Sequence, residues 1–297
     1  MEPSVVEALL CPHCGMEFIA PQPGANSLAC VEGHSFDMAR QGYLNLLTGH
    51  GTKFLPDTAA MVNARDAFLD AGHYRDLSTA LAKQVEAALP PTAQRVLLVD
   101  AGTGTGYYLQ QILAALTANA GETSDGPESG LERRGARSLD AVGLDISKFA
   151  LRRAARRNPH AANIVWDLWR ALPLGANTAD VVLVIFAPRN ASEFARILKP
   201  GGSLIVVTPQ PTHLGEIAEV AGLLTIQEEK EAALSQSMAS HFSLVRSEEV
   251  VRPLDLAPAD VGNVALMGPA GHHLDPVALG KALAQLPDRT RATAAFR

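Results

Sequence analysis

VLLVDAGTGTGYY, residues Val96 to Tyr108, changes character halfway along. Val96 to Val99 is a continuous apolar run, as expected of a strand covered on both faces. Asp100 follows, then Gly102, Gly104 and Gly106 alternate with small residues before a helical pattern opens near Tyr107. A glycine-rich turn between a strand and a helix lets backbone approach a ligand at the helix N-terminus. A dinucleotide fingerprint spaces its glycines G-x-G-x-x-G, and its third glycine would fall on Tyr107.

Outward from this turn, strand and helix patterns alternate. Strands fit Ala141–Leu144, Ile164–Trp166, Val181–Phe186 and Leu204–Val207, and helices fit 147–158, 191–198 and 214–223. LKPGGSL, from Leu198 to Leu204, reads as a turn before the last strand. The alternation predicts an α/β fold with a mostly parallel, doubly wound sheet. Upstream, residues 57–89 carry apolar residues at helical spacing and read as two helices broken at Ala71-Gly72-His73. Residues 117–138 are a low-complexity surface insertion.

All three cysteines of the 297-residue chain lie near its start, in C-x2-C-x15-C-x3-H spacing: Cys11, Cys14, Cys30 and His34. Three thiolates and an imidazole give zinc a closed tetrahedral shell, which leaves no position for a substrate and so marks a structural ion. A thioredoxin-like redox pair would need a βαβ setting that is absent around Cys11 and Cys14. His13 is the rival fourth ligand but lies inside the C-x2-C turn.

Composition sets outer bounds. Hydrophobic residues make up 47% and charged residues 19%, ordinary for a soluble globular protein. No apolar run is long enough for a membrane span, and the N-terminus lacks a signal peptide's basic start, so a cytoplasmic protein is expected. A net charge of −6 argues against a generally basic nucleic-acid binder but leaves local patches open. Two exist, at Arg133, Arg134 and Arg137 and at Arg152, Arg153, Arg156 and Arg157.

Two further carboxylates follow strands. Asp145 ends the second strand of the α/β region, where an acid accepts hydrogen bonds from ribose hydroxyls; Asp167 follows the third and is either an adenine contact or a helix cap. The D-x-G-x-G-x-G loop resembles motif I of class I methyltransferases, which bind S-adenosylmethionine (SAM). Narrower still, CPHC with Cys30 and GHSFDMARQGYLNLL, then AFLDAGHY, DAGTGTGYY, GLDISK, FAPRN, LKPGG and VTPQPTHL are together similar to the bacterial 23S ribosomal RNA guanine-N1 methyltransferases. The similarity runs from Cys11 to about Gly268, and FAPRN and VTPQ look closer to the tylosin-resistance branch, named for guanine 748, than to the branch acting on guanine 745.

That resemblance implies zinc on Cys11, Cys14, Cys30 and His34, and SAM contacts at Tyr74, Gly104, Thr105 and His213. It implies a 23S rRNA hairpin as partner, a homodimer, and macrolide resistance as a consequence, beside the absence of a membrane partner already expected from composition. On the acceptor side, Phe186 is placed to stack on the base and Arg189 to hold charge developing at guanine O6. The chain lacks the Asn/Asp-Pro-Pro-aromatic run of exocyclic-amine methyltransferases, which favours a ring nitrogen. No side chain stands out as a general base, with His213, His73 and Asp167 as candidates. The expected division is a zinc-binding RNA-recognition domain at 1–48, a helical linker at 49–90 and a methyltransferase domain at 91–297. The competing readings are a small-molecule methyltransferase and an inactive zinc-dependent RNA-binding protein.

Overall fold

The computed structural model describes residues 1–22, 24–49, 51–122, 137–223 and 236–297, with backbone alone for 119–122. Most of the insertion expected at 117–138, including Arg133 and Arg134, lies outside the described residues. The chain forms two compact units: Met1–Leu55 with Ser78–Val206, and Pro56–Leu77 with Val207–Arg297.

The first unit is built on a six-stranded sheet. Its order is β3 (Tyr43–Asn45), β6 (Ala162–Val165), β5 (Ser138–Asp145), β4 (Arg95–Ala101), β7 (Ala179–Ile185) and β8 (Leu198–Val207). The β3–β6, β6–β5, β5–β4 and β4–β7 pairs are all parallel. Val96, Leu98, Val99, Val181, Val182 and Leu183 are fully buried, as strands covered on both faces must be. Helices α4 (Tyr107–Glu122), α5 (Lys148–Arg157) and α6 (Ala191–Ile197) follow β4, β5 and β7. The Ser147 hydroxyl caps α5 by accepting the Ala150 N–H at 3.3 Å, and Leu151, Ala154 and Ala155 pack with Tyr43 and Val165. Strand order reverses between β4 and β7, where parallel α/β sheets open a crevice.

The N-terminal lobe belongs to this unit. Strands β1 (Ser27–Ala29) and β2 (Ser35–Asp37) pair antiparallel above the zinc-ligand turns. A one-turn helix α1 (Pro3–Val6) precedes them, and the Ser4 hydroxyl donates to Asp140 Oδ1 at 2.7 Å. Arg95 Nε donates to the other Asp140 oxygen at 2.6 Å. Leu10 N–H to Pro173 O and Gly175 N–H to Ala8 O, at 3.0 and 2.9 Å, zip the lobe to the segment after β6. The compact units therefore do not follow boundaries at 48 and 90: β3, inside the zinc segment, is an edge strand of the main sheet.

In the second unit, α2 (Ala59–Asp70) is capped by Thr58, which accepts the Met61 N–H at 3.3 Å. α3 (Arg75–Ala88) begins here, so the two-helix expectation with a break near Gly72 holds. Strand β9 (Val250–Leu256) pairs antiparallel with β10 (Thr290–Phe296), and α7 (Pro258–Met267) and α8 (Pro276–Leu283) lie between them in sequence.

Two expectations need correction. The helix expected at 214–223 is a short 3-10 turn, Gly215–Ile217, followed by turns: Leu214 has φ 55°, so the chain enters in a left-handed conformation that α-helix cannot continue. LKPGG is not a turn ahead of a strand but the beginning of β8, with the bend absorbed by Gly201 at φ 81°.

Gly106 shows how tightly the first unit is built: φ is 74°, and an added Cβ would lie 2.6 Å from Asn158 Nδ2 and 2.8 Å from Ala154 Cα. Asn158 Nδ2 also donates to Gly106 O at 2.9 Å, tying the loop to the end of α5. Gly106→Ala is expected to lower the unfolding free energy by about 2 kcal/mol or more, combining left-handed strain with overpacking. Urea titration checks this; an unchanged midpoint contradicts the packing.

Candidate functional site

Parallel strands terminate on one edge of the sheet, so the residues at the ends of β4, β5, β6 and β7 converge. The loop after β4 is explained glycine by glycine. Gly102, at φ 92°, passes so close to Ala187 that a Cβ would collide with it. Gly104, at φ 54°, presents its N–H to Asp145 Oδ2 at 2.9 Å. Asp145 Oδ1 accepts the Ser147 N–H at 2.7 Å, so the carboxylate is fixed from both sides.

Within this loop Thr105 is 1% exposed, and its Oγ1 has no hydrogen-bond partner among the described residues. Asp100 Oδ1 is likewise buried without one. An orphaned hydroxyl at a helix N-terminus fits a polar ligand held there. Burial pushes the Asp100 carboxyl up to about 7; the Thr103 hydroxyl opposes the shift and the Asp145 charge adds to it.

Asp167 is occupied on both oxygens, Oδ1 by the Trp169 N–H at 3.0 Å and Oδ2 by the Thr52 hydroxyl at 2.8 Å. That pattern is an Asx turn plus a tether to residue 52. After β7, Phe186 stands at φ 56°, a left-handed conformation rare outside glycine and common at functional sites. It is 44% exposed and meets the Tyr108 edge at 6.4 Å between ring centroids. Arg189 is half-buried, its Nε has no partner among the described residues, and burial lowers its pKa. Asn190 Nδ2 donates to Leu168 O at 2.9 Å, stapling this loop to the one after β6.

Tyr74 and His213 fall in the second unit and bond each other, Tyr74 Oη to His213 Nε2 at 3.0 Å. Burial pushes the His213 pKa down to about 4, against the Glu216 charge, so the ring is neutral near pH 7. Its Nδ1 accepts the Ala295 N–H at 3.1 Å, which places the single ring proton on Nε2. Nε2–H therefore donates to Tyr74, whose own hydroxyl hydrogen is left for another acceptor. His73 faces Asp260 at 3.2 Å in the same unit.

The Cys11, Cys14, Cys30 and His34 ligand atoms all lie within 4.8 Å of one another. Cys14 and Cys30 sulfurs are 3.7 Å apart, and His34 Nδ1 is 3.4 Å from Cys30 Sγ and 3.8 Å from Cys11 Sγ. Tetrahedral zinc with its usual bond lengths has S–S edges of about 3.8 Å and S–N edges of about 3.5 Å. The set therefore fits one structural zinc ion. The Cys30 thiol is lowered to about 7: burial raises it, and hydrogen bonds from His34 and from backbone outweigh that. His13 is no ligand; its ring stacks on Phe36 at 5.7 Å.

Sequence reasoning missed Thr52, Phe54, Trp169 and the stapling role of Asn190. Residues 49–53 read as a linker, and only the uncommon aromatic in DLWR offered a signal.

A family model described as "RlmA, N-terminal", a zinc ribbon, matches residues 9–50, and one described as "Methyltransferase domain" matches residues 124–206. A Streptomyces fradiae protein, 23S rRNA (guanine(748)-N(1))-methyltransferase, is 41% identical over 97% of this chain and 94% of its own length. A Micromonospora griseorubida protein, provisionally a 23S rRNA (guanine-N1)-methyltransferase, is 39% identical over 100% of this chain and 98% of its own. A Bacillus subtilis protein with the same provisional assignment is 28% identical over 70% of this chain and 67% of its own.

Two outcomes check the site. Cys14→Ser is expected to lose bound zinc, read by metal analysis of the purified protein, because three ligands leave the shell open. Asp100 binds its proton more tightly folded than unfolded, so its burial costs stability as pH rises from about 4 to about 7. Asp100→Asn should remove that contribution, so that urea midpoints at pH 5 and pH 8 differ less in a wild-type-like direction than they do for the parent; an unaltered pH dependence places the carboxyl's pKa in the ordinary range.

Proposed function

The chain belongs to the 23S rRNA guanine-N1-methyltransferase family, and on that premise we propose that it methylates N1 of guanine 748 in a 23S rRNA hairpin. The single observation behind the nucleotide is the 41% identity, over nearly the whole length, to a guanine-748 enzyme. Macrolide resistance and action in the cytoplasm, where ribosomes are assembled, are part of the same proposal. No helix among the described residues is long and apolar enough to cross a membrane.

When bound, SAM supplies an electrophilic methyl group on a sulfonium. In this reading Gly102, Gly104, Thr105 and Gly106 hold it with backbone and the orphaned hydroxyl, and Asp100 and Asp145 supply carboxylate oxygens. Asp167, whose oxygens accept the Trp169 N–H and the Thr52 hydroxyl, is carried as a third acidic contact. Tyr74 and His213 are carried as further cofactor contacts on the family's pattern, with Tyr74 acting as a donor.

Methyl transfer to N1 is an in-line displacement, so the protein's work is orientation and exclusion of water. Guanine N1 gives up its proton to water before its lone pair takes the methyl, and the anion this leaves carries negative charge on O6. Arg189, half-buried and short of partners, is a preformed donor for that charge, and Phe186 offers an exposed ring face to the base. The target must leave its stack before its Watson–Crick edge is reachable. The zinc lobe at 1–48, with Arg40 and Lys53 beside it, is the proposed reader of hairpin shape, and a homodimer would pair two such lobes.

Primer extension on 23S rRNA from cells with and without the gene tests the reading, because N1 methylation blocks base pairing. A gene-dependent stop next to guanine 748 is expected; a stop next to guanine 745 assigns the other branch, and methylation of a small acceptor without RNA selects the metabolite reading. Arg189→Ala is expected to lower kcat about 100-fold or more while SAM affinity is retained.

A further inference from the structure

One exposed feature of the first unit is not used by the methyl-transfer machinery. Trp169 is 53% exposed and Phe54 39% exposed, and their ring centroids lie 6.3 Å apart at an interplanar angle of 33°. Aromatics of this size are usually buried, so two adjacent ones left open on a single unit call for an occupant. Their placement is built. Thr52 bonds Asp167, Arg170 donates to the Gly51 carbonyl, and Asp167 also takes the Trp169 N–H. Residues 51–54 and 167–170 are thereby locked together, and Asn190 fixes the second of these loops to the Phe186–Asn190 loop.

Charge selects among occupants. Lys53 Nζ lies 5.4 Å from the Phe54 ring centroid, and neither Lys53 nor Arg170 makes an ion pair among the described residues. Two cations without counter-ions flank an aromatic pair, on a chain of net charge −6. A protein surface rich in acids would satisfy the cations but not the flat rings; unpaired RNA satisfies both, with bases on the rings and phosphates on the cations.

We propose that Trp169 and Phe54 form a stacking platform for an unpaired base of the substrate RNA next to the methylated guanine, with Lys53 and Arg170 on its phosphates. The proposal rests on the rRNA-methyltransferase reading above. A nucleotide adjoining the flipped guanine loses its own stacking neighbour, and the platform replaces it, which lowers the cost of extruding the target.

Binding of a 23S rRNA hairpin fragment by the full-length zinc-loaded protein, measured across salt concentrations, tests this. Trp169→Ala is expected to weaken binding about 10- to 100-fold, the range of one base–aromatic stack, while Trp169→Phe retains most of the affinity. The slope of log K against log salt should stay unchanged in Trp169→Ala and become shallower by about one unit in Lys53→Ala. On hairpins with a single abasic site beside the target, one position should erase the difference between Trp169→Ala and wild type. SAM affinity should be the same in all three variants. Wild-type hairpin affinity in Trp169→Ala overturns the platform, as does a deficit that persists on every abasic hairpin, or a shift in sedimentation showing that the face joins two copies of the chain. Failure of the wild-type protein to methylate any 23S rRNA hairpin sinks the functional reading itself, whereas normal methylation with an unaffected Trp169→Ala sinks the platform alone.

Discussion

Parallel pairing forces strands to end together, and the chemistry of the first unit depends on that constraint. Asp100, Asp145, Asp167 and Phe186 are separated by 45, 22 and 19 positions in sequence, yet each stands at or beside the end of a neighbouring strand. Where β4 meets β7 the order reverses, and the loops on either side come close enough that Gly102 must be glycine to pass Ala187. The tolerance is small: a methyl group at 102 or 106 would displace backbone or a neighbouring side chain. Glycine in this loop serves packing first, and the buried, orphaned Thr105 hydroxyl follows from the conformation that packing imposes.

The metal acts through the same sheet. A lobe of about forty residues is too small to hold its shape by apolar burial alone, and a structural zinc contributes on the order of 10 kcal/mol. Here the clamped lobe runs directly into β3, which hydrogen-bonds to β6, and then into the segment carrying Thr52 and Phe54. Zinc coordination thus fixes the register of an edge strand whose continuation packs on the loop after β6. Integrated in this way, the zinc lobe is tied to the strand ends through β3 and the Thr52–Asp167 hydrogen bond.

Much of this was legible in the sequence because the signals were local. The VLLV run, the glycine turn and the C-x2-C-x15-C-x3-H spacing each state their geometry within a few residues. β3 was not legible: three residues, Tyr43 to Asn45, join the sheet only through a partner more than a hundred positions away. The antiparallel β9–β10 pair failed for the same reason, with two helices between its strands. LKPGG misled because proline and glycine read as punctuation, whereas β8 absorbs them near its beginning. At the site, chemistry-bearing acids and glycines were readable by type, but the Thr52–Asp167 tether depends on loops meeting in space.

An acidic protein acting on a polyanion cannot depend on net attraction: at −6, the long-range field opposes approach and is weakened by salt within about 10 Å. Recognition must then come from contacts insensitive to that field, namely stacking, shape and a few local cations. The first unit has such contacts at the site edge: two exposed rings, an exposed Phe186 and three guanidinium or ammonium groups at Lys53, Arg170 and Arg189 without ion-pair partners among the described residues. A negative surface around them becomes an advantage in selectivity. Duplex RNA, which offers phosphates but no free base faces, gains the few cations and pays the full repulsion, while a splayed loop gains the rings as well. Charge that weakens binding overall thereby sharpens the preference for unpaired bases.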